Sequence, residues 1–424
     1  MAVRIGHYPD SRSENKGTEP EGVEFGLYGS RRFLFVGTER SSFVAVYEIP
    51  PIGDPIFKQV LPGGSGPEGL LAIPSRNLFV TASENDARGD VLRSALTIYE
   101  LGGTSDYPTI VSTNRSDRTP IPWSALSGLS SDPVDPNIVW TVSDSYYAEG
   151  RIYKMDVSSK PAVILDEMVV RDKRGNTMTT DLEGIAARQG GGFWLASEGS
   201  GSCSATDCDA VNTKNLLFRV DAFGVVQETV MLPAEVNAIQ RNNGFEGVAV
   251  TGSGSDEVLY VAFQREWNLA DPSGWTRIGR YTVATGEWAF FYYPLDAVTS
   301  PNGGWIGLSE LTSLGGGRFA VIERDNQGNI DAAVKKLYTF NVSRVTPQSA
   351  SELVTDPTDP AFPALTKTLA RDILPDLEAP KGLVIEKVEG LTVLRNGDTL
   401  IVTDNDGVDD STGETQLIHL GPVF

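Results

Sequence analysis

The sequence predicts an all-β fold, a seven-bladed β-propeller of four-stranded blades whose ring is closed by the N-terminal strand, residues 2–8. Three observations predict it. A unit of two short apolar runs joined by a turn and flanked by acids recurs seven times in the 424 residues, and periods of this length mark arrays or propellers. A second pair of strand-like runs follows most copies, giving four strands per unit. The 44 Gly and 25 Pro punctuate short apolar runs, while long stretches with a helical apolar period are scarce.

The clearest copy is Asp181-Leu182-Glu183-Gly184-Ile185, a turn at Gln189-Gly190-Gly191-Gly192, then Phe193-Trp194-Leu195-Ala196-Ser197-Glu198. In an antiparallel hairpin the start of one strand lies beside the end of the next, so Glu183 and Glu198 are expected at the same end. The other copies begin at Glu21, Glu68, Ser127, Glu246, Glu310 and Glu389, and their second strands run to Glu39, Glu84, Asp144, Gln264, Glu323 and Asp404. Ser127 and Gln264 break the acidic pattern, one in each series.

In chain order, residues 2–8 read as a lone strand. Second hairpins are expected at 43–49 and 56–60, 96–101 and 109–111, 151–155 and 162–165, 216–220 and 225–230, and 277–283 and 288–292. The sixth copy adds 336–342, and the seventh has only 416–420 left. The orphan at 2–8 is therefore expected to supply its missing strand. The segment 346–386 interrupts the pattern, with a short helix expected over Leu365–Leu374. It and the insertion at 199–215 are expected to cover one mouth of the ring, and 264–275, with Trp267 and Trp275, is a third excursion.

The net charge is −21, from 35 basic and 56 acidic residues. No basic patch is visible, which argues against nucleic acid and against an anionic membrane as partners. No apolar run has the length of a membrane-spanning helix. No leader is read at the start, and Met1-Ala2-Val3-Arg4-Ile5 is compatible with a boundary after a removed one. Cys203 and Cys208 stand in one loop with four residues between them. A disulfide there is geometrically allowed and would fit an oxidising compartment, with free thiols as the alternative.

If the Glu-Gly strand of each unit is innermost, Glu21, Glu68, Glu183, Glu246, Glu310 and Glu389 form an acidic ring, with Asp404 among the acids of a second, outer ring. Such acids either accept backbone N–H bonds as staples between blades or surround a cation. Gly after Glu, replaced by Leu311 in the sixth copy, lets backbones crowd together. Bare like charges at this spacing repel, and the remedies are raised pKa values, salt bridges or bound metal. Arg40, Arg265 and Arg324 directly follow second-ring positions. Oxygen-only sites suit Ca²⁺ first, with Mn²⁺ or Mg²⁺ as alternatives. The two His in the chain exclude a His-rich zinc site. Asp404-Asn405-Asp406-Gly407 with Asp409, Asp410 and Glu414 has part of a calcium-loop pattern. No serine-nucleophile elbow, Walker loop or His-Glu-X-X-His motif is present.

The 181–198 stretch, with Asn243-Gly244-Phe245-Glu246-Gly247-Val248, Leu308-Ser309-Glu310-Leu311, Gly317 to Asp325 and Thr403 to Gly407, resembles the bacterial phytase-like family labelled "esterase-like activity of phytase", over about 120–421. Asp10 to Val23 and Gly66-Pro67-Glu68-Gly69-Leu70 resemble the last blades of the choice-of-anchor I propeller domain, over 4–101. A single propeller domain over 1–424 is expected, with choice-of-anchor-I-like blades over 1–119 and phytase-like blades over 120–424. The resemblance implies a secreted or periplasmic protein linked to phosphoester chemistry. The expected function is a metal-dependent phosphoester hydrolase. Glu21, Glu68, Glu183, Glu246, Glu310, Glu389 and Asp404 are the candidate ligands. Glu198 or Glu323 would serve as base, and Arg265 and Arg324 would meet phosphate oxygens. A small phosphoester or other anion bridged by the metal is the expected partner, and a monomer the expected state. The rival is a non-catalytic binding or scaffold propeller with structural Ca²⁺.

Overall fold

The computed structural model describes residues 1–424 except 87–92, 104, 202–212, 268–269, 381 and 409–410. The chain divides into two compact units. The first holds Met1–Ala125, Val157–Asp166 and Thr403–Leu417; the second holds Leu126–Asp156, Glu167–Val402 and Ile418–Phe424.

Among the described residues the strands form seven sheets, consistent with a propeller. In the first unit, sheet I comprises Pro20–Tyr28, Arg31–Thr38, Phe43–Glu48 and Ile56–Pro62, and sheet II comprises Pro67–Ile73, Leu78–Ser83 and Leu96–Glu100. In the second unit, sheet III begins with Leu126–Ser131, Ile138–Ser143 and Arg151–Asp156. Sheet IV has Leu182–Ala187, Phe193–Ser197, Leu216–Val220 and Val226–Met231. Sheet V has Phe245–Thr251, Val258–Phe263, Trp275–Thr282 and Glu287–Pro294. Sheet VI has Ile306–Gly315, Arg318–Asp325, Lys335–Asn341 and Lys367–Asp372. Sheet VII has Val388–Val393, Thr399–Thr403 and Leu417–Gly421.

The motif strand comes first in every sheet, and in six of them it carries a register shift at the motif itself. The pairing slips between Pro20 and Gly22, Pro67 and Gly69, Leu182 and Gly184, Phe245 and Val248, and Leu308 and Glu310. In sheet III the slip lies opposite Ser127 and Gly128. A β-bulge breaks the strict alternation of side chains and re-aims the residue it carries. The bulge therefore sets where Glu21, Glu68, Glu183 and Glu246 point.

Within the second unit the first strands neighbour one another in cyclic order, III to IV to V to VI to VII and back to III. Glycines make the approach close. A Cβ on Gly128 would lie 2.8 Å from the Glu183 carbonyl, one on Gly184 2.5 Å from the Glu246 carbonyl, and one on Gly390 2.7 Å from the Ser127 carbonyl. Ser131 N–H donates to Thr392 Oγ1 at 2.9 Å, joining sheet III to sheet VII directly. A ring of seven would have set two further strands between these, so the cycle in this unit is five, not seven. Apolar side chains fill the spaces between its sheets: Ile185, Leu195 and Phe218 on one side of sheet IV, Trp194, Leu217 and Phe245 on the other.

Three local expectations are corrected. Residues 2–8 are not a strand and close no ring. Ala2–Ile5 is a 3-10 helix ended by Gly6 at φ 72. In that helix residues three apart share a face, and Ala2 and Ile5 use it to pack on Phe43, Ala45 and Val60. Residues 109–111 do not complete sheet II, because Ile110–Ser112 pairs in parallel with Ala162–Ile164. Residues 365–374 are not a helix. Lys367–Asp372 is the fourth strand of sheet VI, since an open edge beside Lys335–Asn341 outweighs local preference.

Candidate functional site

The site grows from the bulge in sheet IV. Asp181, Glu183 and Glu198, all partly buried, each bring one carboxylate oxygen within 4.8 Å of the other two. Asp181 joins because its carbonyl accepts the Glu198 N–H at 2.7 Å, which fixes the strand ends together. Burial, then Asp181, Asp144, Glu198 and Glu389, push the Glu183 carboxyl well above its ordinary range. Burial pushes Glu198 up to about 7, with the Gly244 N–H opposing and Asp181 assisting. That N–H donates to Glu198 Oε1 at 2.6 Å.

The two repeat positions that lack an acid supply hydrogen-bond donors. Ser127 Oγ donates to Glu183 Oε2 at 2.7 Å. Gln264 Nε2 donates to Glu246 Oε1, and Gln264 in turn accepts from Asn243 Nδ2 at 2.5 Å. The breaks in the pattern thus relieve the charge of a neighbouring acid. Burial, Glu183, Glu389 and Glu198 raise the Glu246 carboxyl well above its usual range, against the pull of Arg324.

Glu310 is a staple. Its oxygens accept the N–H groups of Leu129 at 2.8 Å and Leu311 at 2.9 Å, and that of Leu391 as well. It ties sheets III, VI and VII together by backbone bonds. Glu389 is 5 % exposed; one oxygen takes the Arg324 Nη2 at 2.5 Å and the other, Oε2, is buried without a partner.

Arg324 is committed to protein contacts. It donates to Ser309 Oγ at 2.7 Å, Glu386 at 2.9 Å and Glu389. Burial opposes its charge, but Glu389, Glu386 and Glu246 hold its pKa up. Arg265 differs. Its guanidinium lies 4.9 Å from the Trp305 ring centre, its Nε is buried without a hydrogen bond, and burial lowers its pKa. Trp305 also lies 5.5 Å from the Arg324 guanidinium, so one indole serves both cations.

Glu323 is held by Lys367 Nζ at 2.7 Å, Tyr293 OH at 2.8 Å and the Asp296 N–H at 2.6 Å, and no atom of the acidic triad is among its partners. Burial raises its pKa and Lys367 opposes. In the first unit Glu21 meets Glu19 and Glu39 in a second oxygen cluster, which Arg12, Lys16 and Arg40 flank. Glu68 is exposed on sheet II. Asp404 is buried and accepts the Asp406 N–H at 2.9 Å. Asn405 beside it bonds Gly6, Ser124, Ala125 and Gly413, so this stretch ties chain segments together. Asp409, Asp410, Cys203 and Cys208 lie outside the described residues. Sequence reasoning missed Asp181 as a site member. The available signal was its position two residues before Glu183, on the same strand approach.

The fold and the site define an all-β repeat protein, consistent with a propeller and carrying an oxygen-only acidic cluster, and its family profile makes that propeller hydrolase-like. The chain belongs to the Phytase-like family, described as "Esterase-like activity of phytase", whose profile matches residues 121–407. A choice-of-anchor I domain profile matches residues 4–51. No curated protein matches the chain. Similar solved structures include a functionally unknown protein from Desulfotomaculum acetoxidans, at 11 % identity and TM-score 0.26, covering 81 % of this chain and 88 % of that one. A putative oxidoreductase (glucose dehydrogenase) from Thermus thermophilus has 13 % identity and TM-score 0.32, covering 85 % and 97 %. A luciferin-regenerating enzyme has 9 % identity and TM-score 0.33, covering 93 % and 86 %. Likeness at these scores carries no argument about activity.

Proposed function

We propose that the second unit hydrolyses small phosphoesters with a divalent cation held at Asp181, Glu183 and Glu198. The observation that carries this is the three carboxylate oxygens within 4.8 Å of one another. At that spacing each charged pair repels by about 3 kcal/mol at an effective dielectric near 20, a cost a cation would reverse. The donor set fits Ca²⁺ first, then Mn²⁺ or Mg²⁺, because it offers oxygen alone. The buried, unpartnered Glu389 Oε2 is a further donor of the same kind. A bound cation would polarise a phosphoryl oxygen and lower the pKa of water.

The chain's own residues supply the rest. Without the cation the Glu198 carboxyl sits at about 7; a bound cation would lower it and keep a carboxylate oxygen available to accept a proton from water. Arg265, with an unused buried Nε, would meet the anion. Arg324 would act by positioning Glu389. Glu310 supports the scaffold reading for its own position, since its oxygens are taken by backbone donors. A secreted or periplasmic location belongs to the same reading.

The test is elemental analysis of dialysed protein, with hydrolysis of a chromogenic phosphomonoester and phosphodiester panel before and after chelation. Bound divalent metal, chelator-sensitive turnover and a roughly hundredfold loss in Glu183→Gln at unchanged melting temperature are expected. Metal-free protein with no turnover, or turnover indifferent to chelator, overturns the proposal.

A further inference from the structure

Two guanidinium groups at the motif end of sheet V lie together without a carboxylate partner. Residues 241–244 lead into the first strand of that sheet, and 264–267 leave its second. Asn243 Nδ2 donates to Gln264 Oε1 at 2.5 Å, the Gln264 N–H to the Gly244 carbonyl at 2.8 Å, and Trp267 Nε1 to the Asn243 carbonyl at 3.3 Å. These bonds hold the two segments side by side and bring Arg241 near Arg265. The charges are close enough to act on each other: burial lowers the Arg265 pKa, Glu266 raises it, and Arg241 lowers it. Among the described residues neither arginine has an ion pair or a side-chain hydrogen bond, in a chain with 56 acidic residues to 35 basic ones. The pair stands next to the acidic triad, since the Gly244 N–H donates to Glu198 Oε1 at 2.6 Å. From the other side the Leu308 N–H donates to the Gln264 carbonyl at 2.9 Å, and Trp305 meets the Arg265 guanidinium at 4.9 Å. A guanidinium stacked on an indole is held in place with its edge of N–H donors still available.

We infer that Arg241 and Arg265 together seat the phosphoryl group of the substrate, and that Arg241 makes the seat selective for a dianion. This rests on the phosphoester reading above and adds to it the charge of the group that is taken. One guanidinium neutralises one negative charge; two held together against their own repulsion are satisfied by two. A phosphomonoester has its second ionisation at about pH 6, so it carries nearly two charges at neutral pH. A phosphodiester carries one. The seat therefore takes monoesters in preference to diesters. Arg265, fixed against Trp305, supplies the anchor, and Arg241 is the specificity residue.

Phosphorus NMR titration of the full chain in excess chelator tests this without turnover. Inorganic phosphate and methyl phosphate are expected to bind, and dimethyl phosphate to bind about tenfold more weakly. Arg241→Gln should weaken methyl phosphate about tenfold and remove its advantage over dimethyl phosphate, while Arg241→Lys, which keeps the charge, should keep part of that advantage. Arg265→Gln should weaken all three ligands. Circular dichroism confirms that each variant is folded; should Arg265→Gln fail to fold, the Arg241 variants decide alone. No binding of phosphate or methyl phosphate overturns the inference, and so does a monoester preference indifferent to Arg241→Gln. Binding that behaves as expected in a protein without turnover upholds the seat and overturns only the hydrolase reading. Metal-dependent turnover whose monoester preference survives Arg241→Gln overturns the seat alone.

Discussion

Glu198 and Glu310 are both buried acids with raised pKa values, yet their surroundings give them opposite work. Glu198 faces other carboxylates, and its carboxyl sits at about 7 against an ordinary 4.5. Between those pH values the folded chain holds a proton that the unfolded chain has lost. Stability therefore falls as pH rises through this window, and the loss is complete above 7. In excess chelator, Glu198 should contribute up to about 3 kcal/mol to the fall in urea-unfolding stability from pH 4.5 to 7.5, beside the contributions of Glu183 and Glu246, whose carboxyls are raised as well. Glu198→Gln should remove its own share of that slope, and saturating cation should oppose it. Glu310, in contrast, accepts from three backbone donors. Glu310→Ala should cost about 3 kcal/mol or more in the same assay, because it strands buried N–H groups, while Glu310→Gln, which keeps an acceptor, should cost about 1 kcal/mol. The acids themselves were legible in the sequence from their repetition. Which acid is a staple and which is free to bind was not, because that depends on donors from sheets far away in the chain.

At the scale of the element, the hairpin is the unit the repeat encodes. Glu-Gly, an apolar run, a turn and a second apolar run were enough to place both strands. The bulge at six of the motifs was hidden, since it falls at the start of the strand, where too few residues precede it for the change of alternation to show. The glycines after Glu matter because strands cross there at backbone distance. Gly184→Ala would set a Cβ 2.5 Å from the Glu246 carbonyl, an atom fixed in the next sheet. It should cost about 2 kcal/mol or more, read as a lowered melting temperature. Gly190→Ala is the control: nothing lies within 4 Å of its Cβ, and its effect should be small. The misread elements, 2–8, 109–111 and 365–374, are short edge segments whose apolar pattern fits several partners.

The whole molecule carries 35 basic and 56 acidic residues, and its carboxylates gather in clusters. Self-repulsion on that scale weakens the folded state and is screened by salt. Raising NaCl from about 10 mM to about 200 mM in chelator should raise the melting temperature by a few degrees, whereas micromolar divalent cation should do so at constant ionic strength if it binds the triad. Scanning fluorimetry distinguishes the two. The number of sheets followed from counting repeats, but their grouping did not. Among the described residues two sheets belong to one compact unit and five to another, and in the larger unit the strand at 388–393 closes against the strand at 126–131.

The sequence alone determined the all-β class, the family, the repeated hairpin and the acids at its mouth, because each is written in local spacing and residue type. Tertiary structure decided the five-membered cycle, the joining of Asp181 to Glu183 and Glu198, and the commitment of Glu310, Glu323 and Arg324 to protein partners. Those outcomes depend on contacts between residues of different strands and sheets, or on a one-residue slip in pairing, and neither is written in local pattern.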